Sequence, residues 1–199
     1  KNGFITKIDY EVLRQVLELQ KKWMDSSGRA IPVSVNLSRV HVMDDTMVDT
    51  IDRMVKSYRI PARLMEFELT ETAFSENIEQ VKRMLSGLRR LGYLVSIDDF
   101  GSGYSSLSLL SSVTADILKF DKSLLQKNGE RYYSKTVIRH LVEMAHEMGY
   151  EIICEGVETD KQVKFLLEMG CTMGQGYYFA KPMPVEEFEE KYSSLFPTV

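Results

Sequence analysis

Apolar residues recur along this chain with two periods. At helical spacing, Val12, Leu13, Val16, Leu17 and Trp23 make one face, for which Asp9 is the expected N-cap. Met47, Val48, Ile51, Met54 and Val55 make a second face, and Ile78, Val81, Met84, Leu85 and Leu88 a third that stops at Gly92. Val137, Leu141, Met144, Ala145 and Met148 predict a helix ending at Gly149, and Val163, Leu166 and Leu167 a shorter one ending at Gly170. Between these lie short apolar runs that predict strands: 32–36, 64–69, 93–98, 116–120, 151–155 and 174–179. Strand and helix alternate throughout, which implies a parallel sheet with right-handed crossovers. A doubly wound sheet or a (β/α) barrel would satisfy that pattern. No Gly-x-Gly-x-x-Gly follows the first strand, which argues against a dinucleotide fold. With no low-complexity or linker-like stretch, residues 1–199 read as one domain.

Each predicted strand ends or carries a polar residue: Asn36, Glu68, Asp98 with Asp99, Lys119, Glu155 and Gln175. Strand alternation puts Ser34 with Asn36, Glu66 with Glu68, Ser96 with Asp98, and Ile153 with Glu155 on shared faces. Phe67, Leu69, Val95, Ile97, Leu118 and Phe120 take the other face, where helices can cover them. In a barrel the polar sets would converge at the C-terminal mouth, where barrel enzymes keep their active sites. Carboxylates so crowded repel, and a divalent cation would relieve them. Oxygen ligands of this kind suit magnesium or manganese. Two such ions roughly 3.5–4 Å apart, sharing one carboxylate, would suit in-line displacement at phosphorus.

Composition narrows the partners. The chain is 44% hydrophobic and 27% charged, with a net charge of -4, so the basic footprint of a DNA or RNA polymer binder is absent. Cys154 and Cys171 form no C-x-x-C motif and fit a reducing compartment. Nothing reads as a signal peptide or membrane span, so a cytoplasmic location is expected, including that of a cytoplasmic part of a membrane-anchored parent. His41, His140 and His146 lie away from the strand ends and read as surface or packing residues, and the methionines as core filler.

The segment Asp98-Asp99-Phe-Gly-Ser-Gly-Tyr-Ser-Ser-Leu closely resembles the signature loop of bacterial EAL-domain phosphodiesterases, with Ser102 where threonine is usual. Its companions agree in order and spacing: Ser34-Val-Asn-Leu-Ser38, Glu68-Leu-Thr-Glu71, Leu118-Lys-Phe-Asp121, Glu155-Gly-Val-Glu-Thr159 and Gln175-Gly-Tyr-Tyr-Phe-Ala-Lys-Pro182. The resemblance implies a modified TIM (β/α)8-type barrel, of which six strand-helix units are visible. It implies hydrolysis of cyclic di-GMP to linear pGpG with two Mg2+ or Mn2+ ions. By the same resemblance Asn36, Glu68 and Asp98 would hold one metal, and Asp98, Asp99 and Glu155 the other. Lys119 would hold and polarise the attacking water, and Glu155, a ligand first, is also a candidate base. Gln175 would help hold the site, and Glu71 and Glu158 would support it from behind. Glu71 would tether a flap made of Phe100, Gly101, Ser102, Gly103, Tyr104 and Ser105. The implied partners are cyclic di-GMP, a second copy in a homodimer, and an upstream sensory or GGDEF-type domain.

The Glu-Ala-Leu tripeptide itself is absent, and its place in the family falls before Lys1. The expectation is therefore an N-terminally incomplete EAL domain, without its first two strands and one metal glutamate, with weak or no hydrolysis from these residues alone. The competing function is a degenerate domain that binds cyclic di-GMP as a receptor without cleaving it.

Overall fold

A computed structural model describes residues 2–75, 77–102, 107–124 and 135–195. Helices and strands alternate in chain order: α1 (Asn2–Ser27), β1 (Val33–Asn36), α2 (Met47–Tyr58), β2 (Met65–Thr70), α3 (Ile78–Arg90), β3 (Leu94–Phe100) and α4 (Leu107–Ser112). They continue as β4 (Ile117–Phe120), α5 (Lys135–Glu147), β5 (Glu151–Cys154), α6 (Asp160–Glu168), β6 (Met173–Gly174) and α7 (Val185–Lys191). Two compact units emerge. One comprises Lys1–Leu69, Glu76–Val95 and Pro182–Val199, the other Thr70–Ser75 and Ser96–Lys181.

In the first unit β1 and β2 pair in parallel, with Asn36 opposite Glu68. Helix α1 buries Leu13, Leu17 and Trp23, α2 buries Met47, Ile51 and Val55, and α3 buries Val81, Leu85 and Leu88. One polar residue sits among them: Gln20 is fully buried, and its amide donates to the carbonyls of Ile31 at 3.1 Å and Leu64 at 2.9 Å. It ties α1 to the segments entering β1 and β2. Asp9 is not an N-cap. Residues 3–8 contain no strong helix breaker beyond Gly3, so α1 runs through them and Asp9 lies inside it. Its carboxylate accepts instead from the Ser38 N–H at 3.2 Å and meets the buried His41 ring at 2.8 Å. Val12 stays largely exposed, because the buried stripe runs through Leu13, Leu17 and Gln20.

The second unit carries β3 from Ser96 onward, β4, β5 and β6 side by side in that order, all parallel. Helix α5 buries Ile138, Val142 and Ala145, whereas Val137 and Met148 are exposed. The face is thus rotated by one position from the sequence expectation. Apolar residues sit in adjacent pairs along this helix, at Val137–Ile138, Leu141–Val142 and Met144–Ala145, so periodicity alone does not choose between adjacent stripes. The last strand is also shorter than expected: 174–179 does not extend beyond Gly174. At Gly176, φ is 157°, and a side-chain carbon there would lie 2.2 Å from the Val157 carbonyl oxygen. The chain turns there and closes on Val157 through Val157 N–H to the Gln175 carbonyl at 3.1 Å and Tyr178 N–H to the Val157 carbonyl at 2.9 Å.

Gln20→Leu takes the amide donor away from two part-buried carbonyls, so the variant is expected to lose about 1–3 kcal/mol. In thermal denaturation this appears as a melting point several degrees lower, with helix content unchanged below the transition.

Candidate metal centre

In an unbroken strand, consecutive side chains face opposite ways. Asp98 and Asp99 escape that rule. Ile97 pairs with Leu118 and Phe100 with Phe120, so β3 uses one more residue than β4 between the same rungs. The extra residue forms a bulge. Asp99 takes it up with a φ of 57°, a left-handed conformation that aspartate tolerates better than most side chains. The Asp99 N–H donates to Asp98 Oδ1 at 2.9 Å, which steadies the turn. Phe100 then returns to the apolar side and stacks on Phe120, with ring centroids 5.8 Å apart.

The bulge aims both carboxylates at one place. Asp98, Asp99 and Glu155 each present an oxygen within 4.8 Å of the others. Glu155 is delivered by the end of β5, where its N–H donates to the Phe120 carbonyl at 2.9 Å. From β4, Lys119 enters between the buried Leu118 and Phe120 and is itself only 3% exposed. Its Nζ lies 2.8 Å from Glu155 Oε1 and 3.4 Å from Asp98 Oδ1. Burial holds the Asp99 carboxyl above its ordinary value, and the charges of Asp98, Asp121 and Glu71 push the same way against Lys119. Negative charge therefore outweighs the one ammonium at this spot. The donors are hard oxygens, and no histidine or cysteine belongs to the cluster among the described residues. That chemistry fits Mg2+ or Mn2+.

The surrounding candidates lie as follows. Glu71, in the short turn Glu71–Ser75 after β2, accepts from the Gly101 N–H at 3.4 Å. Gly101 has a φ of 95°, and a side-chain carbon there would crowd Leu124 at 3.1 Å. Phe100, Gly101 and Ser102 are described, while Gly103, Tyr104 and Ser105 lie outside the described residues. Gln175 is fixed by its backbone, which donates to the Cys154 carbonyl at 2.8 Å, and its exposed side chain lines a cavity of about 600 Å³ with Ile153. Glu158 is exposed just before α6, its N–H donating to Gln162 Oε1 at 2.9 Å beside the Thr159–Gln162 capping box. Asn36 and Glu68 belong to the first unit, facing each other across β1 and β2, the former exposed and the latter buried. Sequence reasoning missed the bulge and the role of Asp121. The bulge had a signal, since neighbouring aspartates cannot serve one site from a regular strand. Asp121 N–H donates to the Phe100 carbonyl at 3.0 Å, and its Oδ1 accepts from the Ser123 N–H at 2.9 Å.

Residues 1–182 match the family model described as the EAL domain. The chain is 33% identical over 189 residues to the cyclic di-GMP phosphodiesterase NbdA of Pseudomonas aeruginosa, covering 95% of this chain and 24% of NbdA. Among solved structures it resembles the EAL domain of Mycobacterium smegmatis DcpA, with a TM-score of 0.83, 32% identity, and coverage of 94% of this chain and 84% of that one. It also resembles the PaMucR phosphodiesterase in its c-di-GMP complex, with a TM-score of 0.83, 28% identity, and coverage of 94% and 81%. EAL domains have a modified TIM barrel fold and depend on metal. The chain spans about a quarter to a half of the length of the curated relatives it matches.

Between the ordinary carboxylate value of 3.8 and its raised value in the fold, Asp99 keeps a proton that the unfolded chain has lost. Stability therefore falls as pH rises through that window. Without metal, Asp99→Asn is expected to melt a few degrees higher than the parent at pH 7, and the gap should narrow as pH is lowered toward 3.8. Asparagine tolerates the left-handed conformation, so the charge alone is tested. Adding Mn2+ should raise the melting point of the parent and barely move that of the variant, as read by differential scanning calorimetry.

Proposed function

Since the chain belongs to the EAL-domain family, we propose that it serves in hydrolysis of cyclic di-GMP to linear pGpG. The observation that carries the reading is the meeting of Asp98, Asp99 and Glu155 around the buried Lys119. In this reading Asp98, Asp99 and Glu155 hold one divalent ion. Asn36 and Glu68 are the candidate ligands of a second, an assignment that rests on the family's motifs. Bound there, Mg2+ or Mn2+ would offset negative charge on the phosphate and make a water more acidic.

The chain's own residues do the rest. The Lys119 ammonium donates hydrogen bonds to the attacking water and holds its oxygen in line with phosphorus. Glu155, at 2.8 Å from Lys119, orients that ammonium and stands where it can receive the water's proton. The water oxygen joins phosphorus, the bond from phosphorus to the ribose 3′ oxygen breaks, and that oxygen leaves with a proton. Gln175 steadies the site beside Glu155, and Glu158 supports the segment that follows it. Glu71 holds the start of the flap through Gly101. A homodimer, an upstream sensory or GGDEF-type domain and a cytoplasmic location complete the proposal. Among the described residues no helix is long and apolar enough to cross a membrane.

The test is incubation of the full-length parent protein with cyclic di-GMP and Mn2+, with products separated chromatographically. Asp98→Asn and Lys119→Met are each expected to lower turnover by about 10²-fold or more. Both variants should retain the parent's circular dichroism. Tight binding by the parent with no linear product would replace the hydrolase reading with the receptor one.

A further inference from the structure

The two cysteines, 17 positions apart in sequence, meet inside the second unit. Cys154 is the last residue of β5 and is 1% exposed, while Cys171 follows α6 and is 2% exposed. Their Sγ atoms are 3.4 Å apart, with the Cys154 S–H donating. Both are free thiols. A disulfide needs its sulfurs about 2.05 Å apart, so these two lie within a small closing motion of a bond. We infer that Cys154 and Cys171 are an oxidation site, closed into a disulfide by a peroxide, and that the bond reaches the metal centre along β5.

Access comes from one side. Cys171 lines a crevice of about 40 Å³ with Val163, Leu166, Leu167 and Phe179. Leu167 is 58% and Phe179 51% exposed, so the crevice lies close to solvent. A single water needs roughly 10–15 Å³ of such space, which leaves room for hydrogen peroxide. The hydrogen bond from Cys154 also lowers the Cys171 thiol's pKa and favours its thiolate, although burial opposes this. Cys171, the sulfur that lines the crevice, is the one that reacts first. Its thiolate attacks one peroxide oxygen, the O–O bond breaks, and hydroxide leaves, giving a sulfenic acid. The Cys154 sulfur then attacks the Cys171 sulfur and displaces the hydroxyl group. The Cys154 proton leaves with it, so that two thiols and one peroxide become one disulfide and two waters. In a reducing compartment, disulfides of this kind are transient and sense oxidants.

Either sulfur's movement is felt at the site. Cys154 directly precedes Glu155, and side chains alternate, so the thiol faces one way and the carboxylate the other. Cys154 is also fixed beside Phe120 in the ladder, and its carbonyl accepts from the Gln175 N–H at 2.8 Å. Drawing Cys154 toward Cys171 shifts the backbone that carries Glu155. Drawing Cys171 instead pulls on the segment leading to Gln175. This coupling rests on the metal reading of Glu155; the disulfide itself does not.

The reduced protein is treated with hydrogen peroxide, quenched with N-ethylmaleimide and weighed by mass spectrometry. The expected product is lighter by two hydrogens before alkylation, takes up no maleimide, yields a Cys154–Cys171 cross-linked peptide, and reverts with dithiothreitol. Oxidised protein should bind Mn2+ several-fold more weakly by calorimetry, and peroxide should leave Mn2+ binding by Cys171→Ser and Cys154→Ala unchanged. Two alkylatable thiols, or separate sulfinic acids, after oxidation of the unsubstituted protein would overturn the site, whatever the variants' folding. A cross-link with unaltered Mn2+ affinity would overturn the coupling. If neither form binds Mn2+, the metal reading and the coupling fail together while the cross-link is judged by mass alone.

Discussion

Burying an ammonium group costs several kcal/mol unless anions stand against it, and Lys119 is buried to 3% exposure in the middle of β4. Much of the second unit's polar arrangement follows from that cost. Glu155 comes to 2.8 Å from one neighbouring strand and Asp98 to 3.4 Å from the other. Two anions would already satisfy one cation. Asp99 adds a third beside them, and burial first, then the charge of Asp98, raises its proton affinity. A fold arranged for stability alone would have no use for this excess. A site that must hold divalent cations does, because it trades some stability of the empty protein for affinity when filled.

Most elements were legible in the sequence because their apolar residues repeat with one clear period. The buried faces of α2 and α3 fall where Met47, Ile51, Val55, Val81, Leu85 and Leu88 put them. Legibility failed where pattern and cause part company. In α5 paired apolar positions left the stripe free to rotate by one residue. Near β6 the run of Tyr177, Tyr178 and Phe179 looks like a strand, yet the close approach of Gly176 to Val157 ends the ladder first. Asp9 resembles a cap by residue type, but its partners Ser38 and His41 lie about thirty positions away, as their hydrogen bonds show. Such tertiary partners leave no mark on local periodicity.

The candidate site shows the same division. Its residue types could be read because acids, an amide and a lysine at strand ends are costly without purpose. The proximity of Cys154 to Cys171 could not, since it depends on how α6 brings the chain back beside β5. The same holds for the tie between Glu71 and Gly101, made across thirty positions of sequence. Family membership explains why the motifs travel together. The local physics explains why each one sits where a strand stops.

The extra residue in β3 has a consequence for how this protein can vary. Exchanging Asp98 or Asp99 for another side chain alters one donor and leaves the rest of the strand in phase. Losing one residue between Ile97 and Phe100 would do something different in kind. The rungs to Leu118 and Phe120 would fall back into step, and only one acid would be left on the strand where the site takes two. Function here is written partly as a count, so lineages that keep the chemistry should hold the length of this stretch as strictly as its acids.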